Sequence, residues 1–278
     1  MPELPEVETV RRTLEQLITG EEIKNVVVTW PKMVKQPDDV EHFRVELIGQ
    51  TFHSIRRRGK FLVFELDDHA LVSHLRMEGR YGLFESSDDI DKHTHVRFLL
   101  DNGKELRYSD VRKFGTMHLF SKGDEENHLP LSQLGVEPFS EEFTKAYLAQ
   151  FLKRTTRKVK TALLDQTGVV GLGNIYVDEA LFRANVHPEK ISHKLTDEEV
   201  ERIYPAIKAT LKEAIDMGGS SIKTYVNGQG EMGMFQQTLY VYGRTGEPCK
   251  HCGSEISRTV VGGRGTHTCL KCQPLIDN

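Results

Sequence analysis

The sequence contains no long hydrophobic run. None of its segments approaches the roughly 20 consecutive apolar residues that a membrane-spanning helix needs. A secretory signal is also missing, because Glu3 and Glu6 stand where such a signal carries lysine or arginine ahead of an apolar stretch. We therefore expect a cytoplasmic protein that does not bind membranes.

An excess of positive charge is missing as well. The 37 lysines and arginines face 41 aspartates and glutamates, which gives a net charge of −4. This balance alone argues weakly against a nucleic-acid-binding protein, because phosphate contacts need clustered cations. Basic residues nevertheless crowd into two runs, residues 56–60 and 153–160. One such run is ordinarily a solvated face, but two runs still allow one basic groove.

Cysteine is scarce and confined to the C-terminal region. The four cysteines form two C-x-x-C pairs that are separated by 16 residues: Cys249, Cys252, Cys269 and Cys272. This spacing predicts a tetrahedral Cys₄ site for one Zn²⁺ ion. Disulfides are the alternative, which a reducing cytoplasm disfavours. Because four thiolates close the coordination shell, the zinc would be structural. No nucleotide cofactor is indicated, because the pattern G-x-x-x-x-G-K-[ST] does not occur.

Hydrophobic periodicity divides the chain into regions. Apolar residues three or four apart between Leu4 and Ile18 predict an amphipathic helix, with Pro5 in its first turn. Short apolar or alternating runs then predict a β-sandwich or flattened barrel. The predicted strands are Ile23 to Trp30, Phe61 to Leu66, Ala70 to His74, Val96 to Leu100, Leu106 to Ser109 and Thr116 to Phe120.

Helical periodicity takes over beyond a polar break at residues 121–128. Ser140 is a candidate N-cap for the first of these helices. Thr196 and Glu199 have the spacing of a capping box, and Gly218-Gly219 ends the helix that follows it. We place domain boundaries so that residues 1–130, 131–238 and 239–278 form three domains.

Two glycine-rich segments are candidate anion sites. Gly262-Gly263 forms a turn that would raise Arg264 between the cysteine pairs, although a solvated arginine is the simpler interpretation. The segment 168–176 opens a helix, so backbone N–H groups and the Asn174 amide could hold an anion there. Close helix packing would explain its glycines equally well.

The N-terminus offers a nucleophile. Removal of Met1 would give Pro2 a free secondary amine beside the Glu3 carboxylate. An α-amino group with a pKa near 8 attacks an aldehydic carbon and forms an iminium ion, which is an electron sink for elimination. Without other information, an ordinary terminus is the simpler interpretation of Pro2.

These stretches together resemble the bacterial formamidopyrimidine-DNA glycosylase family almost from end to end. The resemblance implies an α+β multidomain protein with an N-terminal β-sandwich and flanking helices, a helical helix-two-turn-helix domain and a C-terminal β-hairpin zinc finger. It is carried by six motifs in order: residues 2–9 (PELPEVET), 59–60 (GK), 73–77 (SHLRM), 110–115 (DVRKFG), 171–176 (GLGNIY) and the cysteine pairs.

The resemblance also implies a function and its residues. The chain would act on damaged double-stranded DNA as a bifunctional glycosylase and lyase that removes oxidised purines, and the family suggests a monomer. Implied catalytic residues are Pro2, Glu3, Lys60 and Arg264. Implied DNA contacts are His74, His93, Arg112, Lys160, Asn174 and Tyr176. The gap left by the extruded base would be filled by Met77, Arg112 and Phe114. The base would be recognised by Glu78, Ser220, Thr224 and Tyr225, within a closing loop at 218–236.

Two other functions remain open from the sequence. An endonuclease VIII-like enzyme would share Pro2 and Glu3 but prefer oxidised pyrimidines; the opening residues and the Met77, Arg112 and Phe114 trio favour the purine enzyme. A non-catalytic zinc-finger DNA-binding protein would need only the basic runs and the cysteines, and would leave Pro2, Glu3 and Lys60 without a role.

Overall fold

The computed structural model describes residues 1–220 and 238–276. The chain forms two compact units. Unit 1 contains Met1–Ser132 and the segment that starts at Gly218, and unit 2 contains Gln133–Met217 and the C-terminal segment. The boundaries after residues 130 and 238 stay a prediction. No helix among the described residues is long and apolar enough to cross a membrane.

Unit 1 is built mainly from antiparallel strands. Its helices are α1 (Leu4–Ile18) and α2 (Val40–Leu47). Its strands are β1 (Ile23–Val28), β2 (Val34–Gln36), β3 (Ser54–Arg58), β4 (Phe61–Glu65), β5 (His69–His74), β6 (Arg80–Glu85), β7 (Thr94–Leu100), β8 (Lys104–Ser109) and β9 (Thr116–Ser121).

Two sheets share one apolar core in unit 1. The strand order is β1-β7-β8-β6 in one sheet and β2-β9-β5-β4-β3 in the other. Phe52 contacts Phe64 of the second sheet and Phe98 of the first, with ring centroids 5.7 and 6.3 Å away. The stripe of α1 predicted from the sequence adds Val7, Leu14 and neighbouring apolar residues to the same core. The predicted β-sandwich is therefore confirmed.

Unit 2 carries the remaining helices and one hairpin. They are α3 (Lys145–Lys153), α4 (Val159–Leu164), α5 (Asn174–Arg183), α6 (Asp197–Asp216), β10 (Ser257–Val261) and β11 (Arg264–Thr268). The capping box of Thr196 and Glu199 is present at α6. The prediction that Ser140 caps a helix is wrong: α3 begins later and is capped by Thr144, while the Ser140 hydroxyl donates to Glu137 O in a local turn at 2.8 Å.

Candidate functional site

Three strand ends of unit 1 meet beside Lys60. Phe61, the first residue of β4, pairs with His74 at the end of β5, and His74 pairs with Thr116 at the start of β9. Lys60 lies in the two-residue connection between β3 and β4, directly before Phe61. Its side chain is largely buried. The register of this sheet therefore brings Lys60 and His74 to one end of the sandwich.

The N-terminus of α1 lies towards that same end. Arg11 Nη1 donates to Ile55 O of β3 at 3.0 Å. One helical turn earlier, Glu8 forms an ion pair with Arg57 of β3 at 3.2 Å. Later residues of β3 therefore contact earlier residues of α1. Because Gly59 and Lys60 follow β3, they lie in the direction of the start of α1, which Pro2 and Glu3 directly precede.

Pro2 and Glu3 are both buried at the start of α1. The nearby Glu6 carboxylate accepts from the Glu3 backbone N–H at 2.8 Å. Its other oxygen accepts from the Ser220 backbone N–H, also at 2.8 Å. One buried carboxylate therefore joins the Glu3 backbone to Ser220, a predicted base-recognition residue. Sequence reasoning assigned Glu6 no role, although its spacing from Glu3 is that of a capping pair.

Two connections between the sheets carry the predicted gap-filling residues. We call residues 75–79, between β5 and β6, the Met77 turn, and residues 110–115, between β8 and β9, the Phe114 turn. The two turns lie side by side, because the strand residues that flank them are paired. His74, before the Met77 turn, pairs with Thr116, after the Phe114 turn. Arg80, after the Met77 turn, pairs with Ser109, before the Phe114 turn. The structure thus brings together residues that are more than 30 positions apart in the sequence.

The side chains at the tips of these turns are exposed. Met77 is 38% exposed and Phe114 is 52% exposed, and the Arg112 guanidinium lies 5.0 Å from the Phe114 ring centroid. The residues directly before the two apolar side chains, Arg76 and Lys113, have φ values of 54° and 58°. Left-handed backbone at non-glycine residues stores strain and is typical of functional sites.

Asp110 organises the Phe114 turn. Its carboxylate accepts from the backbone N–H of Arg112 at 3.0 Å and of Gly115 at 2.8 Å. Its own backbone N–H donates to His93 O at 2.9 Å, so the predicted DNA contact His93 lies beside this turn. Glu78 is half-buried within the Met77 turn. Thr224 and Tyr225 lie outside the described residues.

His74 is held uncharged. Burial, together with the charges of Arg76 and Lys60, lowers its pKa to about 3. Its Nδ1 accepts from the Arg76 backbone N–H at 2.9 Å. A neutral imidazole that accepts at Nδ1 carries its proton on Nε2, which leaves Nε2 as the donor that a phosphate oxygen needs.

The basic runs are paired with the protein's own acids. Arg56 contacts Glu65, Glu125 and Glu126. In the second run the ion pairs are Lys153 with Asp197, Arg157 with Asp165, Lys158 with Glu189 and Lys160 with Asp178. Each of these cations therefore has a carboxylate partner within its own unit.

In unit 2 the β10–β11 hairpin presents Arg264. Gly262 and Gly263 have φ values of 55° and 75°, and two consecutive left-handed residues make the tight hairpin connection that glycine favours. The exposed Arg264 follows them directly. The Asn174 amide, at the start of α5, donates to Gly265 O at 2.9 Å, so Asn174 lies beside the Arg264 strand.

Lys160 and Tyr176, two of the predicted DNA contacts, are buried. Both are 0% exposed. Lys160 Nζ donates to Asp178 Oδ1 and Thr266 Oγ1, each at 2.8 Å. A buried ammonium needs such partners to offset its lost hydration. The predicted DNA contacts of both residues stay predictions.

The four cysteines fit one zinc ion. Their sulfur atoms lie within 4.8 Å of one another, and the Cys249–Cys272 and Cys252–Cys269 pairs are separated by 3.9 and 3.5 Å. Sulfurs at zinc–thiolate distance on a tetrahedron are about 3.8 Å apart. Backbone N–H groups of His251 and Cys272 also point at Sγ of Cys249 and Cys269. The predicted structural zinc site is confirmed.

Family models match three parts of the chain. A formamidopyrimidine-DNA glycosylase N-terminal domain matches residues 1–117, the H2TH domain of the same enzymes matches 134–226, and a zinc finger found in FPG and IleRS matches 246–275. The formamidopyrimidine-DNA glycosylase of Shouchella clausii is 65% identical over 274 residues, with 99% of each chain covered. The chain belongs to the formamidopyrimidine-DNA glycosylase family.

Other members agree with this assignment. The formamidopyrimidine-DNA glycosylase of Bacillus subtilis is 60% identical over 98% of this chain and 99% of its own. Among solved structures, the Lactococcus lactis enzyme in complex with DNA containing N7-benzyl-Fapy-dG has a TM-score of 0.92 and 44% identity, covering 98% of this chain and 100% of its own. Its complex with abasic-site DNA has a TM-score of 0.92 and 45% identity, over 98% and 99%.

Proposed function

We propose that this chain excises oxidised purines, including 8-oxoguanine and formamidopyrimidines, from duplex DNA and then cleaves the strand at the resulting abasic site. The observation that carries the proposal is the full-length identity to formamidopyrimidine-DNA glycosylases. The buried Pro2 and Glu3 at the start of α1 agree with it. The setting would be base-excision repair in the cytoplasm, on the nucleoid.

Pro2 is the nucleophile of the proposed reaction. After removal of Met1, its nitrogen attacks C1′ of the damaged nucleotide and loses its proton, and the bond from C1′ to the base breaks, with the base leaving in protonated form. The C1′–O4′ bond then breaks, O4′ takes a proton, and the nitrogen lone pair forms the C1′=N⁺ bond of an iminium ion. The position of Pro2 before α1 favours the attack on C1′, because the positive end of a helix disfavours a protonated amine. The Glu3 carboxylate transfers protons to and from the opened sugar.

Strand cleavage follows from the iminium ion. Loss of a proton from C2′ expels the 3′ phosphate, and a second elimination expels the 5′ phosphate. Lys60, in the connection before β4, assists the first elimination. Arg264 holds a phosphate for the second, with Asn174 as its neighbour on α5. His74 donates through Nε2 to another phosphate.

Extrusion of the base leaves a hole in the duplex. Met77 and Phe114 are the apolar wedges that unstack and kink the DNA, as in other proteins that insert such side chains. Arg112 donates to the cytosine that has lost its partner. Ser220, Glu78, Thr224 and Tyr225 recognise the extruded base.

Borohydride trapping tests the proposal. We expect duplex DNA that contains 8-oxoguanine opposite cytosine to form a covalent adduct with the enzyme, and mass spectrometry to locate it on Pro2. Pro2→Gly should abolish cleavage, whereas Pro5→Ala, at the other proline of the same segment, should still form the adduct. An intact protein that binds this DNA without an adduct would replace the proposal with the non-catalytic binding function. Preference for an oxidised pyrimidine would favour the endonuclease VIII-like function.

A further inference from the structure

We propose that Tyr108 is a positioning residue that sets the distance between the Met77 turn and the Phe114 turn, so that both enter the DNA together. The inference rests on the proposed function, because it assumes that the exposed side chains of these turns fill the gap left by the extruded base. It concerns a residue on β8 whose side chain is fully buried and therefore cannot reach DNA itself.

The Tyr108 hydroxyl touches both turns. A Cβ atom added to Gly79, at the end of the Met77 turn, would lie 2.3 Å from Tyr108 Oη. A Cβ atom added to Gly115, at the end of the Phe114 turn, would lie 1.7 Å from the same oxygen. Both distances are far below van der Waals contact, so each glycine is required for space. One hydroxyl group is thus clamped between the two turns.

A hydrogen bond extends this contact to the tip of the Phe114 turn. Tyr108 Oη donates to Asp110 Oδ2 at 3.1 Å, and the Gly115 backbone N–H donates to the same oxygen at 2.8 Å. The second carboxylate oxygen holds the Arg112 backbone N–H. Burial and the neighbouring Asp110 carboxylate raise the pKa of Tyr108, so the phenol keeps the proton that it donates.

The Tyr108 ring packs against a second tyrosine. Tyr81 of β6 packs against Tyr108 with ring centroids 5.1 Å apart. The Tyr81 hydroxyl bonds to Ser73 Oγ at 2.6 Å, not to either turn. Tyr81 therefore supports the Tyr108 ring and offers a matched control: it is also a buried tyrosine, but its hydroxyl forms its hydrogen bond with β5.

Tyr108→Phe removes only the hydroxyl. Loss of a buried hydrogen bond of this kind changes a rate or equilibrium by roughly tenfold or more. We expect kcat/KM for excision of 8-oxoguanine to fall roughly tenfold. Cleavage at a preformed abasic site should change less than threefold, because no base has to be extruded there. Tyr81→Phe should stay within threefold of wild type on both substrates.

A fluorescent base next to the lesion provides a second readout. Insertion of the two turns unstacks this base, so the signal should rise more slowly with Tyr108→Phe than with wild type. Two results would overturn the proposal: excision of 8-oxoguanine within twofold of wild type, or an equal loss on the lesion and on the preformed abasic site. Failure of the proposed function is distinguishable, because wild type itself would then give no cleavage.

Discussion

The two units hold their predicted DNA-contact residues by different means. In unit 1 the turns that carry Met77 and Phe114 are positioned by glycines, a neutral phenol and backbone amides above a large apolar core. In unit 2 the hairpin that carries Arg264 has strands of only five residues. It is held by the cysteine cluster and by the buried pair of Lys160 and Asp178.

The size of the local core explains the difference. A sandwich of two sheets buries enough apolar surface to support its turns without a metal ion, whereas a lone two-stranded hairpin is marginal in water. Asp178 connects the hairpin to helices α4 and α5. One of its carboxylate oxygens accepts from Lys160, and the other accepts from the His267 backbone N–H at 2.9 Å. Unit 2 should therefore be sensitive to the loss of metal or of a charge, and unit 1 to the charging of a buried neutral group.

Zinc removal should give the largest effect. Structural zinc contributes on the order of 10 kcal/mol to the folding of small domains, so chelation should unfold the hairpin and abolish DNA binding. The single tryptophan, Trp30, belongs to unit 1 and packs against Lys113 of the Phe114 turn, 4.0 Å from its ring centroid. We expect its emission spectrum to stay unchanged while DNA binding, measured by anisotropy, is lost. Unaffected DNA binding would contradict the proposed role of the finger.

Breaking the buried ion pair of Lys160 and Asp178 should give the second-largest effect. Lys160→Met leaves the Asp178 carboxylate without its counter-ion and should lower the free energy of unfolding of unit 2 by about 3–5 kcal/mol. Lys158→Met removes an exposed pair with Glu189 and should cost less than about 1 kcal/mol. Urea unfolding followed by circular dichroism measures both variants. Equal losses would show that burial of the Lys160 charge does not matter.

The loss of stability of unit 1 in acid should be smaller than the loss caused by breaking the Lys160–Asp178 pair. The folded pKa of His74 lies far below 6.5, so its contribution to stability is present above pH 6.5 and is lost as the pH falls. The loss is up to about 1.4 kcal/mol per pH unit, or about 2 kcal/mol between pH 6.5 and 5. Urea midpoints from Trp30 fluorescence at several pH values measure it.

A histidine variant tests the origin of this loss. His74→Gln should flatten the pH dependence between pH 6.5 and 5. His42→Gln, at a histidine whose side chain is 58% exposed, should leave the dependence unchanged. If the dependence persists in His74→Gln, another group is responsible for the acid sensitivity.

Local patterns predicted much of the fold. The predictions of the α1 stripe, of six strands and of the α6 capping box are confirmed, because each feature depends on residues that are close together in the sequence. Strand β3 was missed because its arginines look like a solvated basic run. Two of these arginines, Arg56 and Arg57, instead pair with Glu8, Glu125 and Glu126, which are distant in sequence. Helix α2 and the edge strand β2 are too short for a clear period.

The family resemblance predicted the residues of the site, but it did not predict the buried residues that hold them in place. Motif matching named Met77, Arg112 and Phe114, but no local pattern shows that Tyr108 lies against two glycines that are 36 positions apart. The burial of Lys160 was missed for a related reason, because its partner Asp178 comes from another helix. Tertiary contacts between distant residues decide such features.

The clamp of Tyr108 between Gly79 and Gly115 also restricts how this sequence can evolve. A methyl group at Gly115 would lie 1.7 Å from the Tyr108 hydroxyl, so an alanine there becomes acceptable only after position 108 has lost its phenol. At Gly79 the Leu75 backbone oxygen, 2.5 Å from the added carbon, excludes an alanine in addition to the phenol. The order of mutations therefore matters at positions 108 and 115, although only the tips of the turns they support would ever meet DNA.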